Sequence, residues 1–430
     1  MENREKMYLK ELPKDIFLPE MIKVKQKFDT PSVGDIKKKI REEFEKIQIH
    51  KKIKPKCKIA ITAGSRGIKN IVEILSYVVE EVKGLGGEPF IISAMGSHGG
   101  NTIEGQREIL ESYGITEETM KAPVVCATDV VEIGKNSYGM PVYFDKIALD
   151  SDGIIAVNRI KSHTDFRSNI GSGILKMLAI GLGRGEGASQ IHELGIKGLN
   201  NIFPDSAKVI LEKTPVICGL GIIENALLEI AHIEAIKPEN IEKREIELLK
   251  WAREISPKFQ FKNIDLLIID EIGKNISGVS IDTNVVGRIM VWGEEEPKYP
   301  RINRIAALNL TDESHGNVIG IGLADIITKK IFEKINFNVY YKNILTASLI
   351  ERGKIPIIAE NDEIAIKWAF KTCWAQDKKK AKVVRIKNTL MLSEISISKS
   401  IYEEEKRNGK IETISDFFNL KFDSEGMLCN

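Results

Sequence analysis

Three short segments of this chain place isolated polar side chains directly after predicted β-strands. They are ITAGSRG with Arg66, SAMGSHGG with His98 and NRIKSHTDF with His163. A neutral imidazole accepts or donates a proton near pH 7, so two histidines on opposite sides of a substrate suit a racemase. The guanidinium of Arg66 suits bidentate binding of a carboxylate. Loops that follow parallel strands face one shared crevice, which predicts that these side chains meet around one substrate.

A fourth feature is the lysine in the segment NIGSGILKMLAIGLGR, residues 169–184. The spacing predicts a helix that is apolar on nearly every side, in which Lys176 is the one charge of its turns. Burial would lower the pKa of Lys176 and make its amine a nucleophile for covalent attachment. The pattern is equally compatible with a lysine that reaches water or pairs with Asp165. The turn of Gly171, Ser172 and Gly173 could hold a phosphate or carboxylate with its backbone N–H groups.

His192 lies sixteen residues beyond Lys176, in a chain with only six histidines. One imidazole can be a ligand for a transition metal, but it cannot hold a metal alone. No neighbouring histidine or thiolate pair supplies further donors, so a metal at His192 requires donors from another source.

Composition restricts the class of protein. A chain of 430 residues suggests two or at most three domains. The hydrophobic fraction of 43%, the charged fraction of 29% and the net charge of +2 are typical of globular proteins and give no reason to expect nucleic acid or membrane partners. The five cysteines form no C-x-x-C pair, and the N-terminal segment is charged, so we expect a cytoplasmic protein without disulfides or a thiolate zinc site.

Short apolar runs alternate with helix-period segments, which predicts an α/β fold with two α/β domains and largely parallel sheets. We expect an N-terminal domain over residues 1–260, a C-terminal domain over residues 261–430, and an active-site cleft between them. Predicted strands cover residues 58–62, 89–94, 124–127, 153–157, 214–223, 264–270, 305–310 and 356–359, with two more in the tail. Predicted helices include 68–82, 103–112 with a capping box from Asn101 and Glu104, 238–255 and about 318–335.

Together, these residues resemble the nickel-dependent lactate racemase family and its wider set of 2-hydroxyacid racemases and epimerases. The resemblance runs through much of the first 200 residues. It implies that Lys176, in SGILKM, carries a covalently attached nickel pincer of the pyridinium bis-thiocarboxylic acid mononucleotide type, and that His192 is a nickel ligand. It further implies that His98 and His163 are the acid/base residues and that Arg66 holds substrate. The implied mechanism is hydride abstraction from the substrate α-carbon, proton loss from its hydroxyl, and hydride return to the opposite face.

The resemblance weakens in two places, which indicates a divergent branch. The stretch AGSRG stands where the lactate enzymes have Asp-x-Thr-Arg-Pro, and the segment 282–288 carries Arg288 at an offset different from the substrate-contacting lysine of those enzymes. We therefore regard a set of polar residues of the C-terminal half as candidate substrate contacts, with helix capping and turn structure as the alternative. These are Lys274, Asp282, Arg288, His315, Asn317 and Asp325.

The sequence thus predicts an isomerase that acts on a small 2-hydroxy acid and depends on cofactor-synthesising enzymes. The polar C-terminal candidates favour a substrate larger than lactate, such as an aldonate. One alternative is a catalytically silent homologue that binds a carboxylate or a nucleotide and leaves Lys176 unmodified. A nicotinamide-dependent dehydrogenase is less favoured, because no G-x-G-x-x-G follows a strand with an acidic residue about 20 positions on.

Overall fold

A computed structural model of the chain describes residues 8–429. The chain divides into two compact units. One unit is Thr30–Ser256. The other unit consists of two segments, the one that ends at Asp29 and the one that begins at Pro257. The boundary near residue 260 lies close to the expected place, but the segment before Thr30 differs from the expected N-terminal domain. Its strand Met21–Gln26 pairs with strands Glu394–Ser398 and Ile411–Thr413 near the C-terminus, which is why it joins that unit.

The described residues form sixteen strands and fifteen α-helices. The strands are β1 (Met21–Gln26), β2 (Lys58–Ala63), β3 (Glu88–Ser93), β4 (Val124–Val125), β5 (Val130–Lys135), β6 (Pro141–Asp145), β7 (Gly153–Arg159), β8 (Val216–Glu224), β9 (Ile230–Ile236), β10 (Asn263–Ile269), β11 (Arg301–Ala307), β12 (Ile326–Thr328), β13 (Ile357–Ala359), β14 (Val383–Ile386), β15 (Glu394–Ser398) and β16 (Ile411–Thr413). The helices are α1 (Ile36–Lys46), α2 (Ile71–Gly84), α3 (Ile103–Ser112), α4 (Glu117–Met120), α5 (Lys146–Leu149), α6 (Ile174–Lys176), α7 (Arg184–Glu193), α8 (Gly195–Lys197), α9 (Phe203–Lys213), α10 (Ile241–Ile255), α11 (Thr283–Val286), α12 (Lys329–Glu333), α13 (Phe337–Ala347), α14 (Asp362–Thr372) and α15 (Lys399–Glu405). Two π-helical segments, Met177–Gly181 and Gly198–Ile202, follow α6 and α8.

The unit Thr30–Ser256 is built on a six-stranded sheet in the order β4-β3-β2-β7-β8-β9. All neighbouring pairs are parallel except β8 with β9. Both faces are covered, because alternate residues of β7 enter different clusters: Ile154 and Ala156 pack on one side, Ile155 and Val157 on the other. The strands predicted at 58–62, 89–94, 124–127, 153–157 and 214–223 are β2, β3, β4, β7 and β8. The hairpin β5-β6 forms a separate two-stranded sheet.

The other unit contains an eight-stranded sheet in the order β13-β12-β11-β10-β14-β15-β1-β16. The first five strands are parallel, and β15, β1 and β16 add antiparallel strands at one edge. The predicted α/β class with largely parallel sheets is confirmed in both units. No helix within residues 8–429 is long and apolar enough to cross a membrane.

Two local predictions are wrong. The helix predicted at 318–335 is instead a 3₁₀ turn at Ile321–Leu323, strand β12 and the short helix α12. Gly320 adopts φ +88°, which is incompatible with a continuous helix, and β12 pairs with both β11 and β13. The cap of α3 is Thr102, whose Oγ1 accepts the N–H of Gly105 at 3.1 Å, whereas Asn101 takes a positive φ of 58°.

Candidate functional site

Three adjacent strands position the candidate residues of the N-terminal half. The sheet order places β3, β2 and β7 side by side and parallel, so their carboxyl ends lie at one edge. His98 follows β3, Arg66 follows β2 and His163 follows β7. The expectation that these loops share one edge of a sheet is therefore confirmed.

His98 joins two of these loops through its Nδ1 atom. This nitrogen lies 2.9 Å from Oγ of Ser65 and 3.0 Å from the carbonyl oxygen of Met95. Because a carbonyl oxygen only accepts, the Met95 contact requires a proton on Nδ1. The neutral ring therefore has Nε2 as its basic nitrogen.

His163 and Lys176 are in direct polar contact. The Nζ atom of Lys176 lies 2.6 Å from Nε2 of His163, while Nδ1 of His163 accepts the backbone N–H of Asp165 at 3.1 Å. The imidazole stacks on Phe166 with ring centroids 4.5 Å apart. Burial, and next the charge of Lys176, hold the pKa of His163 well below its usual value, so the ring is neutral at pH 7.

Lys176 ends α6 and is followed at once by the π-helical segment. The flanking residues Leu175 and Met177 are buried, and burial lowers the lysine pKa to about 8. Asp165 opposes this shift and Arg66 adds to it. The sequence allowed either a buried, reactive amine or an ammonium paired with Asp165. Asp165 does stabilise the ammonium, but desolvation has the larger effect on the lysine pKa. The amine is accordingly much easier to deprotonate than an ordinary lysine.

His192 and Arg66 complete the group around Asp165. Burial, and next Lys176, lower the pKa of His192, and Asp165 raises it. Arg66 lies in an exposed loop. Desolvation by surrounding protein atoms lowers the pKa of its guanidinium, and Tyr113 and Asp165 oppose this shift. An arginine stays charged despite such a shift. The structure thus brings Arg66, His163, Lys176 and His192 into one electrostatic cluster, with Asp165 as the carboxylate that acts on all four.

The glycine-rich turn has a different role from the one predicted. The N–H of Ser172 donates to the carbonyl of Lys161 at 2.8 Å, and the N–H of Leu175 donates to Oε2 of Glu245 at 3.0 Å. A Cβ atom on Gly171 would lie 2.5 Å from the Lys161 carbonyl oxygen, and one on Gly173 would overlap the Glu245 carboxylate. The glycines therefore allow close packing, and a carboxylate of the chain itself occupies the position in which we expected an external anion.

Helix α10 contacts both segments that carry the site. Glu245 binds the start of α6, Leu249 packs against Gly171, and Arg253 donates to Ser162 Oγ at 3.0 Å and to the Ser168 carbonyl at 2.6 Å. Burial raises the pKa of Glu245 to about 7, against the lowering effect of its two backbone hydrogen bonds. Glu245 and Arg253 therefore fix the segments before Lys176 and around His163.

A buried ion pair supports the start of α7, the helix that carries His192. Nε of Arg184 donates to Oδ2 of Asp145 at 2.8 Å, and Nη2 of Arg184 lies 2.7 Å from the same oxygen; both side chains are fully buried. The same guanidinium donates to Ser93 at 2.9 Å and to Gln106 at 3.1 Å. Because Ser93 ends β3, this network ties α7 to the strand that precedes the His98 loop.

The guanidinium of Arg288, a candidate substrate contact, is engaged within the C-terminal unit. Its guanidinium donates to the carbonyls of Leu323, Ile302 and Asn303 at 2.8–3.0 Å and pairs with Asp325 at 2.9 Å. These bonds connect backbone segments within the C-terminal unit, so Arg288 is a structural arginine. Asp282 caps α11, which is the alternative capping role, whereas Asp325 accepts the N–H of Ile305 in β11 at 2.7 Å.

Lys274 and His315 follow the neighbouring strands β10 and β11. The ammonium of Lys274 lies 2.6 Å from Oδ1 of Asn343, which also accepts from Asn317 at 3.1 Å. The backbone N–H of Lys274 donates to Ser314, next to His315, at 2.8 Å. His315 itself is exposed, with a positive φ of 46°. These residues form a polar group at the carboxyl ends of two parallel strands and remain candidate substrate contacts.

The side chains that sequence reasoning missed are the ones that support the cluster. Glu245 and Arg253 on α10, and the pair of Arg184 and Asp145, lie outside the motifs. The sequence could have pointed to Glu245. It lies four residues after Ile241, on the face of α10 where the helical period predicts apolar side chains, so a charged residue there is unexpected.

Comparisons with known proteins identify the N-terminal part of the chain. Residues 9–198 match the family model described as lactate racemase N-terminal domain. No curated protein matches. Among solved structures, the lactate racemase apoprotein from Thermoanaerobacterium thermosaccharolyticum is similar at 11% identity, over 80% of this chain and 99% of that chain, with a TM-score of 0.44. A protein from Thermotoga maritima is similar at 12% identity, over 76% and 84%, with a TM-score of 0.48.

The matched range includes Arg66, His98, His163, Lys176 and His192, and it ends before α10. The N-terminal part of this chain therefore matches the lactate racemase N-terminal domain.

Proposed function

We propose that this protein is a racemase or epimerase of a 2-hydroxy acid that carries a nickel pincer nucleotide on Lys176. The observation that supports this best is the 2.6 Å contact between Lys176 Nζ and His163 Nε2, in a cluster that also includes His192 and Arg66. A depressed lysine pKa and a neutral imidazole are the states that covalent attachment and proton transfer require.

The chemistry of the donor set fits a metal that arrives with its own ligands. Among the residues that the structure describes, no group of three or more His, Cys, Asp or Glu side chains could hold a metal ion. His192 instead offers one imidazole, kept neutral by burial, beside the amine of Lys176. In this proposal Lys176 would hold the cofactor covalently and His192 would bind its nickel. When bound, this group would supply a hydride acceptor for the α-carbon of the substrate.

The side chains of the chain perform the remaining steps. Arg66 binds the substrate carboxylate and orients the α-carbon. His98 and His163 remove the proton from the α-hydroxyl and return it, one for each configuration of the substrate. His98 accepts this proton on Nε2, because its Nδ1 is bound to the Met95 carbonyl.

The proposed substrate class is a small 2-hydroxy acid, either lactate or a larger hydroxy acid such as an aldonate. The partners implied are that substrate and the enzymes that synthesise the cofactor.

The test is an intact-mass and nickel measurement on the chain produced together with the cofactor-synthesising enzymes. We expect an added mass on the native chain, located at Lys176 by peptide mapping, and none in Lys176→Ala. An exposed lysine on the same unit gives the matched control, Lys56→Ala, which should retain the added mass. A native chain without added mass, or an equal added mass in Lys176→Ala, contradicts the attachment and favours a silent homologue.

A second measurement tests the acid/base residues in the loaded protein. His98→Ala and His163→Ala should each abolish interconversion of the substrate enantiomers or epimers while nickel stays bound. Turnover at the native rate in either variant removes that histidine from the proposed mechanism.

A further inference from the structure

The hydrogen bonds of His163 define which of its nitrogens carries a proton. Nδ1 accepts the backbone N–H of Asp165 at 3.1 Å, so Nδ1 is unprotonated. A neutral imidazole has one N–H, which must then be on Nε2. Since Nε2 lies 2.6 Å from Nζ of Lys176, the Nε2–H donates to the lysine in its free-amine form, which predominates above the lysine pKa of about 8.

Acylation of Lys176 would reverse the hydrogen-bonding character of Nζ. When an activated acyl group reacts, Nζ forms a bond to the acyl carbon, and the leaving group departs with the proton that the amine loses. The nitrogen keeps one hydrogen, and its lone pair is delocalised into the acyl group. An amide nitrogen is a donor and not an acceptor. Two N–H groups would then face each other across the distance between Nζ and Nε2.

A carboxylate lies on the other side of the ring. Oδ2 of Asp165 is 3.7 Å from Nδ1 of His163. If the ring proton moves to Nδ1, this carboxylate can accept it in a charge-assisted hydrogen bond, in exchange for the weaker bond from the Asp165 backbone. Nε2 then accepts the N–H of the acylated lysine, and the conflict between the two donors is removed.

We propose that acylation of Lys176 switches His163 from the Nε2–H to the Nδ1–H tautomer, with the carboxylate of Asp165 as the acceptor that holds the switched state. Asp165 is thereby a positioning residue. The inference rests on the proposed attachment at Lys176, and it adds that attachment itself leaves Nε2 of His163 unprotonated, the state that a base requires. In the unacylated chain the same nitrogen carries a proton and cannot accept another from a substrate.

The test needs neither cofactor nor substrate. The chain is labelled with ¹⁵N in its histidine rings and produced in two forms, with lysine and with Nε-acetyl-lysine at position 176. Long-range ¹H–¹⁵N spectra distinguish protonated from unprotonated ring nitrogens, and His163→Gln identifies the signals of His163. We record them at about pH 9, above the lysine pKa of about 8.

We expect a protonated Nε2 in the lysine form and a protonated Nδ1 in the acetyl-lysine form. Acetyl-lysine at the exposed Lys56 should leave the His163 pattern unchanged, and Asp165→Ala, which keeps the backbone N–H, should prevent the reversal. The same tautomer in both forms overturns the proposal, as does a reversal that persists in Asp165→Ala. If the acetyl-lysine chain does not fold, acetylation of the folded native chain at Lys176 gives the same comparison. These outcomes are independent of whether the chain binds nickel.

Discussion

Glu245 should make the stability of the N-terminal unit fall as pH rises, and Glu245→Gln should remove this dependence. The carboxyl group is fully buried, and burial raises its pKa from 4.5 to about 7. A carboxyl group whose pKa is higher in the folded than in the unfolded state binds its proton more tightly when folded. Its contribution to stability is therefore complete below pH 4.5 and is lost as pH rises through 7.

The size of the effect follows from that shift. A difference of about 2.5 pKa units corresponds to about 3 kcal/mol in the free energy of unfolding between pH 4.5 and pH 8. Glutamine keeps an oxygen that can accept the N–H of Leu175, but it does not ionise. The native chain should thus lose about 3 kcal/mol more than Glu245→Gln over this range.

The four tryptophans of the chain make the assay specific. Trp251 lies in α10, whereas Trp292, Trp368 and Trp374 all follow Pro257 and belong to the other unit. Replacing these three with phenylalanine leaves Trp251 fluorescence as a reporter of the unit Thr30–Ser256 during urea unfolding at each pH.

The control is Glu247→Gln, since Glu247 lies on the same helix but is exposed and paired with Arg244. It should follow the native curve. Parallel curves for the native chain and Glu245→Gln would refute the reasoning, because they would mean that Glu245 binds its proton equally in the folded and unfolded states.

Three further predictions concern other buried or paired side chains. Arg184→Met should destabilise the protein by about 3–5 kcal/mol in urea unfolding, because Asp145 is left charged and buried. Adding Asp145→Leu should recover part of this loss. If the two substitutions lower the free energy of unfolding additively, the pairing is contradicted. Arg288→Lys should lower the melting temperature and leave substrate KM unchanged, since its bonds go to backbone carbonyls and Asp325; a raised KM at native stability would return Arg288 to the substrate contacts. Acetylation of Lys176, followed by peptide mass spectrometry, should be half-maximal near pH 8 because the uncharged amine reacts; a midpoint near 10.5 would show an ordinary lysine.

Local pattern was sufficient for much of the fold. The strands β2, β3, β7 and β8 are short apolar runs that end in polar turns, and the sequence located each to within a few residues. The helix predicted at 318–335 failed because its apolar residues fit a helical period, while Gly320 and pairing with β11 and β13 determine the structure. The N-terminal strand β1 was missed for a related reason: its partners lie more than 350 residues away in sequence.

The candidate site was predictable where a residue type is rare, and less so where a common residue has an unusual environment. Histidines are few, so His98, His163 and His192 were conspicuous, and the structure gives each an unusual hydrogen bond or a lowered pKa. The structural bonds of Arg288 could not be foreseen, because an arginine that binds backbone carbonyls cannot be distinguished by type from one that binds a carboxylate. Only the three carbonyl contacts of its guanidinium reveal the difference.

The chemistry of Lys176 depends on features that no local motif contains. Its pKa is lowered mainly by burial, and nearby α10 closely approaches the glycines before α6. Gly173 permits that approach, and Glu245 then binds the N–H of Leu175, one residue before Lys176. A larger residue at position 173 would overlap the Glu245 carboxylate and disturb its bond to α6. The glycine-rich turn thus permits close packing just before Lys176, which is a different physical effect from the binding of an anion by its N–H groups.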